Sequence, residues 1–224
     1  MGHLHRTLCR RDRRRATGQP LVAARFIALE GIDGSGKSTQ AALLESALAL
    51  RGIPVVRTRE PGGTSVGEAV RQIVLGTETG EMALVTEALL FAASRAEHVR
   101  RLILPSLEAG TWVISDRFID SSLAYQGAAR GLGIDAVLAI NAAAVEGCLP
   151  ALSLVIDTAT AVTTERRCAT PDRIEAEGEG FQEKVAGGYR ELAERFPERV
   201  RLIPGDGAPD QVHARVMREV AAIL

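Results

Sequence analysis

The chain carries the sequence Gly31-Ile32-Asp33-Gly34-Ser35-Gly36-Lys37-Ser38, which fills every fixed position of the pattern G-x-x-x-x-G-K-S/T. In this pattern the glycines let the backbone curl, so that successive N–H groups and the start of the following helix face the phosphates of a nucleotide. The lysine adds a positive charge, and the serine adds a hydroxyl for Mg²⁺. The stretch therefore predicts that the protein binds a nucleoside triphosphate.

The residues on either side of this loop fit the same interpretation. Residues 25–30 are apolar enough to form a buried strand that enters the loop. Residues 37–51 have the composition of a helix that leaves it, and Gly52 and Pro54 end that helix. A strand, a phosphate-binding turn and a helix are the expected context of the pattern.

Composition limits the remaining possibilities. The chain has 224 residues, a formal net charge of −1 and 46% hydrophobic residues, which favours one soluble, globular domain. The chain lacks the excess of positive charge that would indicate a nucleic-acid partner. It also has no apolar run that approaches the roughly 20 residues of a membrane helix. Cys9, Cys148 and Cys168 lack the spacing of metal ligands or of a disulfide framework. We therefore expect a protein of the reducing cytoplasm.

Residues 1–24 differ from the rest because they are rich in arginine and lack apolar periodicity. We interpret them as a flexible extension without a catalytic role. The alternatives are a transit peptide, a nucleic-acid-binding arm and an overlong assignment of the start site.

Four further strands are predicted, at residues 53–58, 111–115, 152–157 and 200–203. Helices are predicted at 37–51, from the N-cap Thr64 to 75, at 81–109 with an interruption near Pro105, at 134–146, at 173–195 and at 209–223. Short strands that alternate with helices predict a P-loop NTPase fold: a five-stranded parallel sheet with helices on both faces. The polar segment at about 158–172 is expected to be a short mobile lid over the domain of residues 25–224.

Three features indicate a second substrate. Phe91 and Arg95 share one face of a helix, where a ring can stack on a base and a guanidinium can donate to a carbonyl. Arg117 follows a strand end, where a bidentate cation suits a phosphate. Arg166 and Arg167 lie in the polar lid segment. Taken singly, each has a plainer explanation: a core ring with an exposed charge, a local ion pair, or solvated charges.

Together these motifs resemble the thymidylate kinases of the bacterial type, which are nucleoside monophosphate kinases. The resemblance covers residues 25–224. It rests on the stretches Leu29-Glu30-Gly31-Ile32-Asp33-Gly34-Ser35-Gly36-Lys37-Ser38-Thr39-Gln40, Arg59-Glu60-Pro61-Gly62-Gly63-Thr64, Asp116-Arg117-Phe118, Ser121-Ser122-Leu123-Ala124-Tyr125-Gln126-Gly127 and Asp172-Arg173-Ile174-Glu175.

The resemblance implies transfer of the ATP γ-phosphoryl group to dTMP with Mg²⁺, giving ADP and dTDP on the route to dTTP. It implies that Phe91 stacks on thymine, that Arg95 donates to O4, and that Tyr125 lies against the sugar near C2′. The other residues implied to contact dTMP are Ser122 and Gln126 at the base edge, Arg71 and Arg117 at the 5′-phosphate, and Glu60 and Pro61. Asp33, with Glu60, is implied to organise the sugar, the acceptor phosphate and the Mg²⁺ shell.

The ATP phosphates are expected to contact Gly31, Ile32, Asp33, Gly34, Ser35, Gly36, Lys37, Ser38 and Thr39. The implied Mg²⁺ site comprises Ser38, Asp33 and Glu175, partly through water. A homodimer is also implied, through helices that include residues 81–109. Phosphoryl transfer needs positioning and charge neutralisation more than covalent chemistry, so Asp33 is expected to position ligands rather than to act as a base.

The expected catalytic residues are Lys37, Arg117, Asp33 and Arg166. Some thymidylate kinases carry a basic residue inside the phosphate loop, whereas this chain has Gly34 there. We therefore hypothesise that Arg166 supplies the missing charge from the lid, with Arg173 and Arg167 nearby. The alternative functions are another nucleoside monophosphate kinase and a nucleotide-dependent switch.

Overall fold

The computed structural model describes residues 24–160, 163 and 171–224. Its centre is one parallel sheet with the strand order β2-β3-β1-β4-β5, which confirms the predicted five-stranded parallel sheet. The strands are β1 (Phe26–Glu30), β2 (Val55–Arg59), β3 (Trp112–Asp116), β4 (Leu152–Asp157) and β5 (Val200–Pro204).

Helices cover both faces of this sheet. They are α1 (Lys37–Ala49), α2 (Ser65–Leu75), α3 (Leu84–His98), α4 (Leu104–Glu108), α5 (Ile119–Ser122), α6 (Ile134–Val145), α7 (Glu179–Arg195) and α8 (Pro209–Ala221). Wide, π-helical turns occupy Val99–Ile103 and Leu123–Ala129, and short 3₁₀ turns occupy Thr77–Thr79 and Glu175–Glu177.

Alternate residues of β1 point into two separate cores. Phe26 and Ala28 pack in the layer that contains α7 and the Leu123–Ala129 turn. Ile27 and Leu29 pack in the opposite layer against α1 and α8. All five residues of β1 are buried, as expected for the central strand of a parallel sheet with both faces covered.

The observed helix ends match the predicted signals in most places. Thr64 caps α2, because its hydroxyl accepts a hydrogen bond of 3.0 Å from the Gly67 N–H. The predicted helix 81–109 begins at Leu84 and widens over Val99–Ile103, before the predicted interruption at Pro105. Proline has no N–H for the helix ladder, and it lies in the first turn of α4.

One helix start is wrong in the prediction. The helix expected from Arg173 begins at Glu179. Residues 173–177 form turns instead, with Asp172 before them and Gly178 between them and the helix. The Asp172 carboxylate accepts the N–H groups of Ile174 and Glu175, each at 2.9 Å, and Gly178 has φ 85°. As a result, Arg173 belongs to an irregular segment beside the functional site.

The carboxyl ends of the strands meet at one edge of the sheet. Asp116 at the end of β3 is in register with Leu29 of β1 and Arg59 of β2. Because the strands are parallel, the polar residues that follow them are brought together at this edge. Ligands of open parallel sheets bind at the same edge. Residues 1–23, most of the predicted lid, and Arg166 with Arg167 lie outside the described residues. Within the described ranges, no helix is both long and apolar enough to cross a membrane.

Candidate active site

The loop after β1 closes tightly on itself. The Lys37 ammonium donates to the Ile32 carbonyl at 2.8 Å, and Gly36 has φ 97°. Glycine is needed at position 31, because a Cβ there would lie 2.7 Å from the Ile156 carbonyl oxygen. Burial, together with the nearby charge of Arg117, lowers the pKa of Lys37 to about 8. The loop thus holds a buried cation at the start of α1.

Ser38 contacts a carboxylate that the sequence analysis left out of the metal site. Its hydroxyl donates to Asp116 Oδ2 at 2.6 Å, across the gap between the loop and the end of β3. Glu175, the third predicted metal ligand, instead accepts the Asp172 N–H at 3.1 Å. Asp116 could have been predicted as part of the metal site from its position at the end of a strand, because the strand ends share one edge of the sheet.

Arg117 and Asp33 form the centre of the site. Arg117 Nη2 donates to Asp33 Oδ1 at 2.5 Å, and the Tyr125 hydroxyl donates to Asp33 Oδ2 at 3.2 Å. Burial alone would raise the pKa of Asp33, but the charges of Arg117 and Lys37 outweigh it and lower the pKa to about 2. Asp33 is therefore a fixed anion that orients Arg117.

Arg95 is held on every side. Its Nε donates to Glu60 Oε2 at 2.9 Å, and its Nη2 donates to the Ser122 hydroxyl at 3.1 Å. The remaining contacts are the Phe118 carbonyl and the side chain of Asn141, and the arginine is only 1% exposed. His98 Nδ1 lies 2.9 Å from the other oxygen of Glu60. Asn141 and His98 were not predicted as site residues. An asparagine or histidine on a helix has the same sequence pattern whether it supports a site or has a purely structural role.

A cavity of about 620 Å³, including its mouth, lies between α2, α3 and the Leu123–Ala129 turn. All nine residues predicted to contact dTMP line it: Glu60, Pro61, Arg71, Phe91, Arg95, Arg117, Ser122, Tyr125 and Gln126. Asp33 also lines the cavity, so the acceptor pocket and the phosphate loop share a wall.

Two buried carboxylates support the cavity from outside it. Glu30 accepts the Phe118 N–H at 2.8 Å and the hydroxyls of Ser121 and Tyr189 at 2.6 and 2.9 Å. Burial and the neighbouring Asp120 raise the pKa of Glu30 to about 7. Glu87 on α3 is only 1% exposed and contacts Gln126, Arg130 and Arg173. Neither residue was singled out for a role of its own, although a carboxylate in an apolar strand was a signal for Glu30.

The sheet, the loop and the adjoining cavity define a phosphotransferase of the P-loop class. A family model described as thymidylate kinase matches residues 29–216. The chain belongs to the thymidylate kinase family.

Individual relatives agree with this assignment. Thymidylate kinase of Rhizorhabdus wittichii is 46% identical over 91% of this chain and 100% of its own length. Thymidylate kinase of Pelotomaculum thermopropionicum is 47% identical over 91% of this chain and 95% of its own length. The crystal structure of thymidylate kinase from Ehrlichia chaffeensis is similar with a TM-score of 0.72 and 33% identity, covering 89% of this chain and 99% of that one.

Proposed function

We propose that the chain transfers the γ-phosphoryl group of ATP to dTMP, giving ADP and dTDP for dTTP synthesis. Membership of the thymidylate kinase family supports this activity. The observation that carries the proposal is the convergence of the nine predicted acceptor residues on one cavity. That cavity opens beside Asp33, so an acceptor phosphate held there lies next to the loop that holds the donor.

The base is proposed to lie between Phe91 and the polar wall of the cavity. Phe91 stacks on the ring, Arg95 donates to O4, and Ser122 and Gln126 contact the base edge. Arg95 is suited to this role because four protein groups fix its guanidinium in place. Tyr125 lies against the sugar, and its hydroxyl is anchored to Asp33.

The phosphates are proposed to be held by Arg71, Arg117 and Lys37. Arg71 donates to the Pro61 carbonyl at 3.0 Å through Nη1 and lines the cavity, so its other donors are available to the acceptor phosphate. Arg117 stands between the acceptor cavity and the loop, where it can neutralise charge on the group that moves. Catalysis then consists of alignment and charge stabilisation, with the acceptor phosphate itself as the nucleophile.

Mg²⁺ fits the oxygen groups at the loop. Ser38 and Asp116 supply a hydroxyl and a carboxylate 2.6 Å apart, and hard oxygen donors of this kind suit the ion. We propose that Ser38 and Asp116 hold it, with Asp33 and Glu175 acting through water. When bound, the ion neutralises charge on the donor phosphates.

Arg166 is proposed to complete the site, although it lies outside the described residues. The support is at Gly34, where a Cβ would lie 2.7 Å from the Thr163 carbonyl oxygen. The chain therefore passes against the loop only three residues before Arg166. We expect Arg166→Ala to lower kcat about 100-fold, as for other donors to a developing charge. The matched control is Arg218→Ala, on the exposed face of α8, and equal kcat values for the two variants would contradict the role.

A homodimer is proposed through α2 and α3. These helices pack against each other and present large apolar side chains to solvent, with Ile73 43%, Val66 49%, Val85 51% and Leu89 52% exposed. Sedimentation at micromolar concentration tests this, and a monomer there would contradict it. We also propose a cytoplasmic location, no nucleic-acid partner, and no catalytic role for the arginine-rich residues 1–24.

The activity is tested by coupled ADP release with ATP and each of dTMP, dUMP, UMP, CMP, AMP and GMP. We expect dTMP to give the highest kcat/KM. A different best acceptor would make the chain another nucleoside monophosphate kinase and would remove the roles of Phe91, Arg95 and Tyr125. ATP turnover at the same rate without any acceptor would instead indicate a nucleotide-dependent switch.

A further inference from the structure

Glu87 lies one helical turn before Phe91 on α3 and is almost completely buried. Its Oε1 accepts from Gln126 Nε2 at 2.9 Å and from Arg130 Nε at 3.3 Å. Its Oε2 accepts from Arg173 Nη2 at 2.7 Å and from Arg130 Nη2 at 3.3 Å. The carboxylate thus joins the helix that carries Phe91, the turn that carries Gln126 and the segment after the predicted lid.

The charge of Glu87 is stable in this environment. Burial alone would raise the pKa of its carboxyl, but the hydrogen bonds from Gln126 and Arg173 and the charges of Arg130 and Arg173 lower it. An ionised carboxylate is only an acceptor. Gln126 can therefore meet Glu87 only with its NH₂ group, since its carbonyl oxygen would face another negatively charged oxygen.

This contact leaves a defined group of Gln126 for the cavity. Gln126 lines the cavity and is 2% exposed. Within the part of the chain that the structure describes, its side chain has no other hydrogen-bond partner. With the NH₂ group turned to Glu87, the carboxamide oxygen is the acceptor that remains for a bound base.

An acceptor at this position distinguishes pyrimidines. Thymine and uracil carry N3–H, which donates to such an oxygen, and O4, which accepts from Arg95. Cytosine carries an unprotonated N3, which is an acceptor, and an amino group at C4, which is a donor. A site that offers Arg95 as donor and the Gln126 oxygen as acceptor therefore opposes cytosine at both positions.

We infer that Glu87 is a positioning residue: it turns the Gln126 carboxamide oxygen toward the base and so makes the cavity prefer a pyrimidine with N3–H over cytosine. This inference rests on the proposed function. Glu87 does not touch the substrate and acts only through Gln126. Its signature is therefore a change in discrimination between bases rather than a general loss of rate.

The experiment compares kcat/KM for dTMP and dCMP in the wild type and in Glu87→Gln. The new amide can donate as well as accept, so Gln126 is free to turn its NH₂ group to the base. We expect the ratio of dTMP to dCMP to fall by about 10-fold, the value of one hydrogen bond. The matched control is Glu97→Gln on the same helix, where the carboxylate pairs with exposed Arg101 and the ratio should not change.

Two further measurements separate positioning from a structural role. In a Gln126→Ala background, Glu87→Gln should leave the ratio unchanged, because the group through which it acts is gone. If Glu87→Gln does not fold, Glu87→Asp keeps the charge opposite Arg130 and Arg173 but withdraws the carboxylate from Gln126, and the ratio should again fall.

Equal losses for dTMP and dCMP, or an unchanged ratio in whichever variant folds, would overturn the inference. A further fall of the ratio in the Gln126→Ala background would overturn it as well. Failure of the proposed function looks different, because the wild type itself would then not prefer dTMP among the tested acceptors.

Discussion

Most arginines in and around the cavity are paired with carboxylates, whereas the lysine of the phosphate loop is not. In the cavity wall, Arg95 is bonded to Glu60 and Arg117 to Asp33, and behind the wall Arg173 is bonded to Glu87. In the loop, Lys37 donates to a backbone carbonyl and has no carboxylate partner among residues 24–160, 163 and 171–224. Arg71 is the exception in the cavity, since among the described residues it donates to the Pro61 carbonyl rather than to a carboxylate. Arg71 in the cavity and Lys37 in the loop are therefore the charges that remain available for an anion.

The loop also contains one polar side chain that is unpaired among the described residues. Within the described ranges, the buried hydroxyl of Ser35 in the loop has no hydrogen-bond partner. Buried polar groups are normally paired, and this hydroxyl lies in the loop where a nucleotide is proposed to bind. We therefore expect the cavity to provide specificity through its fixed wall and the loop to provide affinity through groups that a nucleotide pairs with.

The largest expected effect tests the free charge of the loop. Lys37→Ala removes the buried ammonium that is proposed to hold the donor phosphates, and we expect kcat to fall by about 1,000-fold. Steady-state kinetics with saturating ATP and dTMP measure the effect. Lys184→Ala is the control, since Lys184 is the only other lysine and is exposed on α7. Similar kcat values for the two variants would remove Lys37 from the mechanism.

The second-largest effect is expected when the ion pair between Arg95 and Glu60 in the cavity wall is disrupted. Arg95→Lys keeps the charge but loses the planar fork that holds Glu60, Ser122 and Asn141 together. We expect the free energy of unfolding to fall by about 3 kcal/mol, because a lysine cannot reach all of these buried groups at once and Glu60 keeps only its contact with His98.

Urea denaturation measures this loss. The control is Arg101→Lys, whose pair with Glu97 is exposed and should contribute within about 0.5 kcal/mol. A loss for Arg95→Lys no larger than that of the control would mean that the cavity wall is not held by this ion pair.

The third effect is the pH dependence of activity, which tests the charge of Lys37 in the loop. The pKa of Lys37 is lowered to about 8, so its charged form is present below that pH and is lost as the pH rises through it. We expect kcat/KM for ATP, which reports the free enzyme, to fall about tenfold per pH unit above 8. Bound phosphates favour the charged lysine, so kcat at saturating ATP should fall less. A kcat/KM value that stays constant from pH 7 to 9.5 would contradict the assignment.

The smallest effect concerns the support beneath the cavity. A Cβ on Gly187 would meet nothing within 4 Å, whereas one on Gly188 would lie 2.8 Å from the Cβ of Ala128, beside the turn that carries Tyr125 and Gln126. We expect Gly187→Ala to stabilise the protein by about 0.7 kcal/mol and Gly188→Ala to destabilise it by about 1 kcal/mol. Thermal unfolding of the pair measures both signs, and the same sign for both would show that α7 does not pack closely there.

Local patterns were sufficient for the sheet and for most element ends. The five strands are short apolar runs bounded by turn residues, and Thr64 has the composition of a helix cap, so neighbours in sequence carried the information. The start of α7 was wrong because Asp172 can bond its own backbone in a turn as well as open a helix. Only the bonds seen in the fold decide between the two.

The acceptor residues were placed by resemblance, and their common cavity is a product of the fold. The residues that support them have no comparable local signal. Glu87 meets Arg173 across 86 positions of sequence, and Asn141 meets Arg95 across 46. A carboxylate or an amide on a helix is usually solvated, so only tertiary packing identifies these as buried partners. The roles proposed for Arg166 and for the individual cavity residues stay predictions.

The closeness of Gly34 to Thr163 has an evolutionary consequence. A side chain at position 34 would overlap with the backbone of Thr163, because its Cβ would lie 2.7 Å from the Thr163 carbonyl oxygen. Gly34 also has φ 82°, which a longer side chain tolerates poorly. A descendant that moved a basic group into the loop would have to withdraw the Thr163 backbone in the same step. A substitution at position 34 alone is therefore not enough to place a side chain there, because the Thr163 backbone must shift as well.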